Sequence, residues 1–433
     1  MKRLVMLSAA TVLAAMMTTT PTSDATAKAV SAAPRAAHHG TLILVGGALS
    51  DGNAEIYQRI VQASGGARAR IGVITAASVP PSQDPLAGQA GAANSVANGR
   101  FYVDILKRYG AGSVRWIPVD LDHPGAADSR EVAAEAASMT GFVFGGGDQY
   151  RLVTTLLHGA AHTDTRLMAT IRARYAQGAL VAGTSAGAQI QSGPDMVTGG
   201  ASYEALRDGS RAGYFRDDSV LADLPAGGFG FFTDGLIDTH FSAYGRLGRA
   251  VRLAADTGHR RVFGLDPDTA LEVVPTGGGG HTLRVLGRHG VSVLDLRGAK
   301  VGSRAGHWSI GGVRWSYLTD GAVYDPARWT VRMPSGAVPL AAADHAAVSP
   351  VEDVFDTEAS DQGRFGLTGA AVDLAEAARS VTVVGHSAQS APVYAVVLRK
   401  AGGFAAYRVG TGVAFVGLTV EMYALPGSAS AAR

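Results

Sequence analysis

The chain contains no cysteine. Disulfides, thiolate metal sites and a cysteine nucleophile are therefore excluded. Charge of one sign is also missing. The 38 basic and 36 acidic residues leave a formal net charge of +2, which gives no electrostatic footprint for a nucleic-acid partner. Only 17% of the 433 residues are charged and 47% are hydrophobic, enough apolar material for one large core or for two domains. After the N-terminus no apolar run approaches the length of a membrane span. No His, Asp or Glu residues fall at metal-ligand spacing, so neither a metal nor another cofactor is expected.

The N-terminus reads as an export signal. Lys2 and Arg3 precede the apolar run Leu4 to Met17, and Ala25-Thr26-Ala27 fits a cleavage site. An uncleaved anchor is the competing reading. A signal peptide is expected over residues 1–27, a disordered lead-in over 28–39, and a secreted, extracytoplasmic mature protein with no membrane span once the signal is removed.

From residue 40 onward, strand and helix patterns alternate. Thr41 to Val45, Arg70 to Thr75, Val114 to Val119, Gly141 to Phe144 and Ala179 to Ala182 read as buried strands. Glu55 to Ser64, Gly99 to Tyr109, Arg130 to Met139, Gln149 to His158 and Thr165 to Gln177 read as helices between them. This alternation predicts an α/β fold, a three-layer sandwich around a mostly parallel sheet. Beyond about residue 270 short alternating runs dominate, with Gly277 to Gly280 as a hairpin turn. Pro326 to Gly363 reads as a linker or long loop. A catalytic domain is expected over 40–300 and a β-rich C-terminal extension or domain over 301–433.

Four stretches carry chemistry. In the first, a strand runs into Gly183-Thr184-Ser185-Ala186-Gly187 and then into an Ala-rich helical start. That geometry exposes the Ser185 hydroxyl and turns the Ala186 N–H toward a developing oxyanion. In the second, Gly145-Gly146-Gly147-Asp148-Gln149 ends a strand and opens a helix; Gly146 or Gly147 would give a second oxyanion donor, and Gln149 would face the substrate. In the third, Leu236 to Phe241, His240 stands at a strand end and can serve Ser185 as general base, while Arg246 and Arg249, one helical turn apart, can face one anion. In the fourth, Asp266-Pro267-Asp268 follows another strand, and either acid could orient His240.

In this order the four stretches resemble the cyanophycinase and aspartyl dipeptidase (peptidase E) family of serine peptidases. Gly183 to Gly187 equals its G-T-S-A-G, and Gly146 to Gln149 its G-G-D-Q. Asp238 to Arg249 resembles its D-Q-H-F-x-x-R-G-R-x-x-R, and Gly264 to Ala270 its G-x-D-E-x-T-A. The resemblance implies a fold like the class I glutamine amidotransferases, Ser185 as nucleophile, His240 as base, and substrate contacts from Asp148, Gln149, Asp238, Thr239, Arg246 and Arg249. It implies a peptide substrate with aspartate-linked bonds, cyanophycin (a polyaspartate carrying arginine on its side-chain carboxyls) being the best-known. It also implies a homodimer, common in the family. Three positions depart from the motif. Thr239 replaces its Gln, Tyr244 its first Arg, and Pro267 the Glu that usually completes the triad, leaving Asp266, Asp268 or a backbone carbonyl to orient His240.

Two readings compete with a secreted peptidase. One is a secreted binding protein on the same fold with an impaired triad. The other is an esterase of the α/β-hydrolase fold, in which the acid precedes the histidine in the chain; here the candidate acids follow His240.

Overall fold

The computed structural model describes residues 40–276, 279–340, 348, 350–356, 366–377 and 380–427. The expected signal peptide and lead-in lie outside these, as do Gly277 and Gly278 of the hairpin turn and parts of the stretch 326–363.

A nine-stranded mixed sheet organises the first core. Five parallel strands, Leu42–Val45, Leu180–Thr184, Gly141–Phe144, Arg70–Ile74 and Ser113–Trp116, lie side by side in that order. At the Leu42–Val45 edge four antiparallel strands continue the sheet: Thr269–Pro275, His281–Gly287, Val323–Asp325 and Thr330–Arg332. Alternate residues of the parallel strands serve two cores. Ile43, Val45, Val143, Leu180 and Ala182 pack with Ile56, Ile60 and Leu106 of helices Ala54–Ala63 and Ser95–Arg108. Leu42, Leu44, Phe142, Phe144 and Val181 pack with Leu152, Leu156, Leu167 and Ile171 of helices Gln149–Leu156 and Arg166–Ala176. Burial on both faces is why these strands read as unbroken apolar runs. The helices begin where the sequence supplies caps. Asn53, Asn94, Ser129, Asp148 and Thr165 each accept a hydrogen bond from a first-turn N–H.

A second nine-stranded sheet runs in the order Leu236–Asp238, Arg261–Leu265, Gly290–Asp295, His307–Thr319, Gly412–Ala424, Tyr394–Val409 and Val338–Pro339. Lys300–Arg304 and Thr382–His386 pair alongside this path. The boundary expected at residues 300 and 301 falls inside the strand Lys300–Arg304. Strands after it share one sheet with Leu236–Asp238, the strand that leads to His240, because the apolar faces of Trp315, Phe415 and Val420 need the same cover as Leu236, Val251 and Val262. Among the described residues no helix is long and apolar enough to cross a membrane.

The register places the site. Val45 pairs with Thr184, and Phe144 pairs with Gly183. The residues that leave these strands, Gly46-Gly47, Ser185 and Gly145 to Gly147, therefore emerge together at the carboxyl edge of the parallel strands, where open α/β sheets bind ligands.

Candidate active site

Ser185 adopts φ 52° and ψ −120°, a conformation that side-chain-bearing residues seldom take. Two glycines make the turn possible. A Cβ on Gly183 would lie 1.9 Å from the Gly187 carbonyl oxygen, and one on Gly187 would lie 2.1 Å from that of Phe144. Both obstacles are backbone, so neither can swing aside. Gly183→Ala or Gly187→Ala is expected to cost at least about 3 kcal/mol of stability, read as a lowered urea midpoint.

The Ser185 Oγ lies 2.8 Å from His240 Nε2. His240 is itself at φ 47°, and its backbone N–H donates to the Gly46 carbonyl at 2.7 Å. The ring rests against Gly47, where a Cβ would come within 2.1 Å of Nε2. Tyr244 stacks on the same ring, with centroids 4.7 Å apart and planes 6° from parallel. Burial pushes the His240 imidazole down to about 4, and the Arg246 charge adds to this. Sequence reasoning missed Gly47, although Gly46-Gly47 ends a parallel strand just as the other two glycine turns do.

Neither acid expected to orient His240 reaches it. Asp266 is fully buried; its Oδ1 accepts from the Ser242 N–H at 2.9 Å and its Oδ2 from the Tyr317 hydroxyl at 2.7 Å. Asp268 accepts from the Ser50 N–H and hydroxyl and from the Asn53 amide, and pairs with Arg288 at 3.3 Å. The turn presents its backbone, not its carboxylates, to the glycines beside His240. A Cβ on Gly46 would meet the Asp266 carbonyl oxygen at 2.1 Å, and the Asp268 N–H donates to Gly47. Among the described residues no carboxylate and no backbone carbonyl accepts from His240 Nδ1.

A cleft of about 620 Å³ opens over the pair, walled by Ala186, Gly147, Gln149, Thr239, Tyr244 and Arg246. Ala186 is the first residue of the helix Ala186–Gln189, so its N–H has no partner within that helix. Gly146 lies alongside: a Cβ built on it would be 3.3 Å from the Ser185 Cβ. Gln149 donates to the Val197 carbonyl at 3.0 Å. Asp148 does not face the cleft contents as expected. It caps its helix through the Tyr150 N–H and accepts from the Tyr214 hydroxyl at 2.6 Å, a cap's role that its place at the strand-to-helix turn dictates.

Asp238 sits beneath the cleft, 2% exposed. Arg249 grips it with two bonds of 2.7 and 2.6 Å and also donates to the Gly200 carbonyl. Arg246 reaches the same carboxylate at 3.2 Å and the Thr239 carbonyl at 2.5 Å. Burial alone would raise the Asp238 carboxyl, but the two guanidiniums hold it below the ordinary value. Burial likewise brings Arg246 down to about 10. Arg249 is thus committed to the fold, while Arg246, half-buried, keeps donors on the cleft wall. The exposed Asp218 lies on the same wall. Among the described residues no group of three or more His, Asp or Glu side chains is placed to hold a metal ion.

A serine on a strained turn, hydrogen-bonded to a histidine at the edge of a parallel sheet, is the arrangement used for nucleophilic acyl transfer. Residues 103–208 match the model of peptidase family S51, a span that includes the glycine loop and Ser185. The cyanophycinase of Synechococcus elongatus is 32% identical over 297 residues, covering 66% of this chain and 80% of that protein. The cyanophycinase of Trichormus variabilis is 29% identical over 263 residues, covering 60% of this chain and 75% of that protein. Among solved structures, a peptidase from an acI-B1 actinobacterium aligns with 59% of this chain and 91% of its own at 20% identity and a TM-score of 0.40. The chain belongs to peptidase family S51, with cyanophycinases among its relatives.

Proposed function

We propose that this S51 peptidase is a secreted serine-type enzyme that hydrolyses cyanophycin or another aspartate-rich or β-aspartyl peptide. The observation that carries the reading is the 2.8 Å contact between Ser185 Oγ and His240 Nε2 on the strained turn. His240, with its proton on Nδ1, takes the Ser185 proton as Oγ attacks the peptide carbonyl. The Ala186 N–H and that of Gly146 or Gly147 receive the oxyanion. Protonated His240 then gives its proton to the leaving amine, and water, activated by His240 in turn, releases the acyl group and restores Ser185. Arg246 and Asp218 put one cation and one carboxylate on the cleft wall, which suits a substrate bearing both carboxylates and guanidiniums. In this reading the fold is like that of the class I glutamine amidotransferases with a β-rich C-terminal addition, residues 1–27 direct export, and the mature protein forms a homodimer.

Incubating cyanophycin with the mature protein and with Ser185→Ala tests the reading. Release of small peptides by the wild type alone supports it, and no release by either contradicts the cyanophycin assignment. That no carboxylate among the described residues reaches His240 favours a second reading, a binding protein on the same fold. Tight cyanophycin binding by the wild type without hydrolysis would select it.

The pH profile is expected to be unusual. The base acts only when neutral, and its proton affinity is lowered, so activity is present above the folded pKa and lost as pH falls through about 4. A plot of kcat/KM against pH should stay level across pH 5 to 7, roughly where an unperturbed histidine would titrate. An acid limb near the ordinary histidine value contradicts this.

A further inference from the structure

Among the described residues no carboxylate reaches His240, yet the loop that carries it is fixed on two sides. Behind the loop, the Ser242 N–H donates to Asp266 at 2.9 Å, and Asp266 accepts from the Tyr317 hydroxyl at 2.7 Å. The Ser242 hydroxyl accepts from Thr368 at 2.8 Å. The Phe355 backbone closes on Gly245, where a Cβ would sit 2.7 Å from the Phe355 carbonyl oxygen. Tyr317, Phe355 and Thr368 all come from the chain after residue 300, from the long strand His307–Thr319, a loop and the helix Gly366–Glu376. On the cleft side, Tyr244 closes a single turn with its N–H on the His240 carbonyl at 2.9 Å and lays its ring flat on the imidazole.

We propose that this clamp orients His240 in the place a carboxylate takes in a triad: Tyr244 fixes the ring, and Asp266, Tyr317 and Thr368 fix the loop. The proposal rests on Ser185 and His240 being the reacting pair. An orienting acid holds the imidazole in plane and steadies the imidazolium as the proton arrives. A stacked aromatic face can do both, since it restricts the ring to one plane and attracts a cation over its face. All four are positioning residues. Asp266 is spent on holding Ser242 and Tyr317, so it serves His240 from behind and not by direct contact. The three C-terminal contacts make the segment after residue 300 part of the site's support.

Labelling by a fluorophosphonate tests this without a known substrate. The reagent forms an Oγ–P bond at Ser185, fluoride leaves, and His240 takes the serine proton. Tyr244 is 47% exposed, so its truncation leaves the core intact. In Tyr244→Ala the limiting labelling rate at saturating reagent should fall about 100-fold. The half-saturating concentration should stay within about threefold of wild type, as expected when a residue acts on the chemical step and not on binding. Tyr244→Phe keeps the ring and should restore the rate. Tyr317→Phe keeps the packing but removes one of the two hydrogen bonds that fix Asp266, and should slow labelling about 10-fold in a protein with unchanged near-UV circular dichroism. Wild-type labelling by Tyr244→Ala, beside a silent His240→Ala, overturns the clamp and leaves the reacting pair standing. A change only in the half-saturating concentration overturns it too, making Tyr244 a wall of the cleft. Labelling of His240→Ala at the wild-type rate removes the reacting pair itself, and the clamp with it.

Discussion

Replacing Ser185 by alanine is expected to lower peptide turnover by at least about 10⁵-fold, and His240→Ala should reach nearly the same floor. The double variant should fall no further, because nucleophile and base act as one unit. The size of the drop is informative here. In the serine-protease template, losing the nucleophile or base costs about 10⁶ in kcat and losing the orienting acid about 10⁴. A site with an unoriented histidine would have only about 10² left to lose. A site whose histidine is held by other means has most of the 10⁶ still at stake. With Tyr244 stacked on the ring and Oγ in short contact with Nε2, the proposed clamp predicts a drop of the second kind. Rates of peptide hydrolysis for the single and double variants decide it, and a drop of only about 10² would show that nothing replaces the acid.

Asp238→Ala is expected to be the most damaging change to stability, about 3–5 kcal/mol. The carboxylate is almost wholly enclosed, and it pairs with two guanidiniums, one of which is itself buried. Its removal strands the Arg249 guanidinium, which keeps a bond to the Gly200 carbonyl. Breaking a buried pair on one side is costly because the partner's desolvation is no longer offset. Asp238 also ends the strand Leu236–Asp238 two residues before His240. Loss of stability should therefore be accompanied by loss of activity even below the melting transition. Urea denaturation gives the first quantity and turnover in buffer the second. A variant within about 1 kcal/mol of wild type would mean that the arginines find water or other acceptors on losing their partner.

The parallel half of the fold was legible because its strands are buried on both faces and its helices carry their own caps. Leu42–Val45, Gly141–Phe144 and Leu180–Thr184 lie where unbroken apolar runs predicted strands. The strand His307–Thr319 was not legible. Gly311 and Gly312 interrupt its alternation, Gly312 has φ 80°, and the register shifts between Ile310 and Val313, so no period of two runs through it. The helix Gly366–Glu376 was hidden for another reason: six glycine, alanine and threonine positions dilute its apolar stripe, and Leu367, Ala371 and Leu374 are buried in the core of the second sheet.

At the site, Ser185 and the glycine loop were readable because their spacing is local and sterically forced. The role of the two acids was not. Asp266 and Asp268 stand at the right place in the chain, but the direction of a side chain at a turn depends on what packs behind it, here Ser242 and Tyr317 for one and Ser50 and Asn53 for the other. Asp148 illustrates the same limit, since a capping aspartate and a substrate-facing one look alike in sequence. The stacking of Tyr244 on His240 is a four-residue turn contact that no motif announces.

Peptide mapping by mass spectrometry after treatment of the folded protein with a fluorophosphonate tests the Ser185–His240 pair most directly. One stoichiometric adduct is expected, on Ser185, and none in His240→Ala. A folded wild-type protein that takes up no reagent, or carries it on another residue, would contradict the assignment of Ser185 and His240 as the reacting pair.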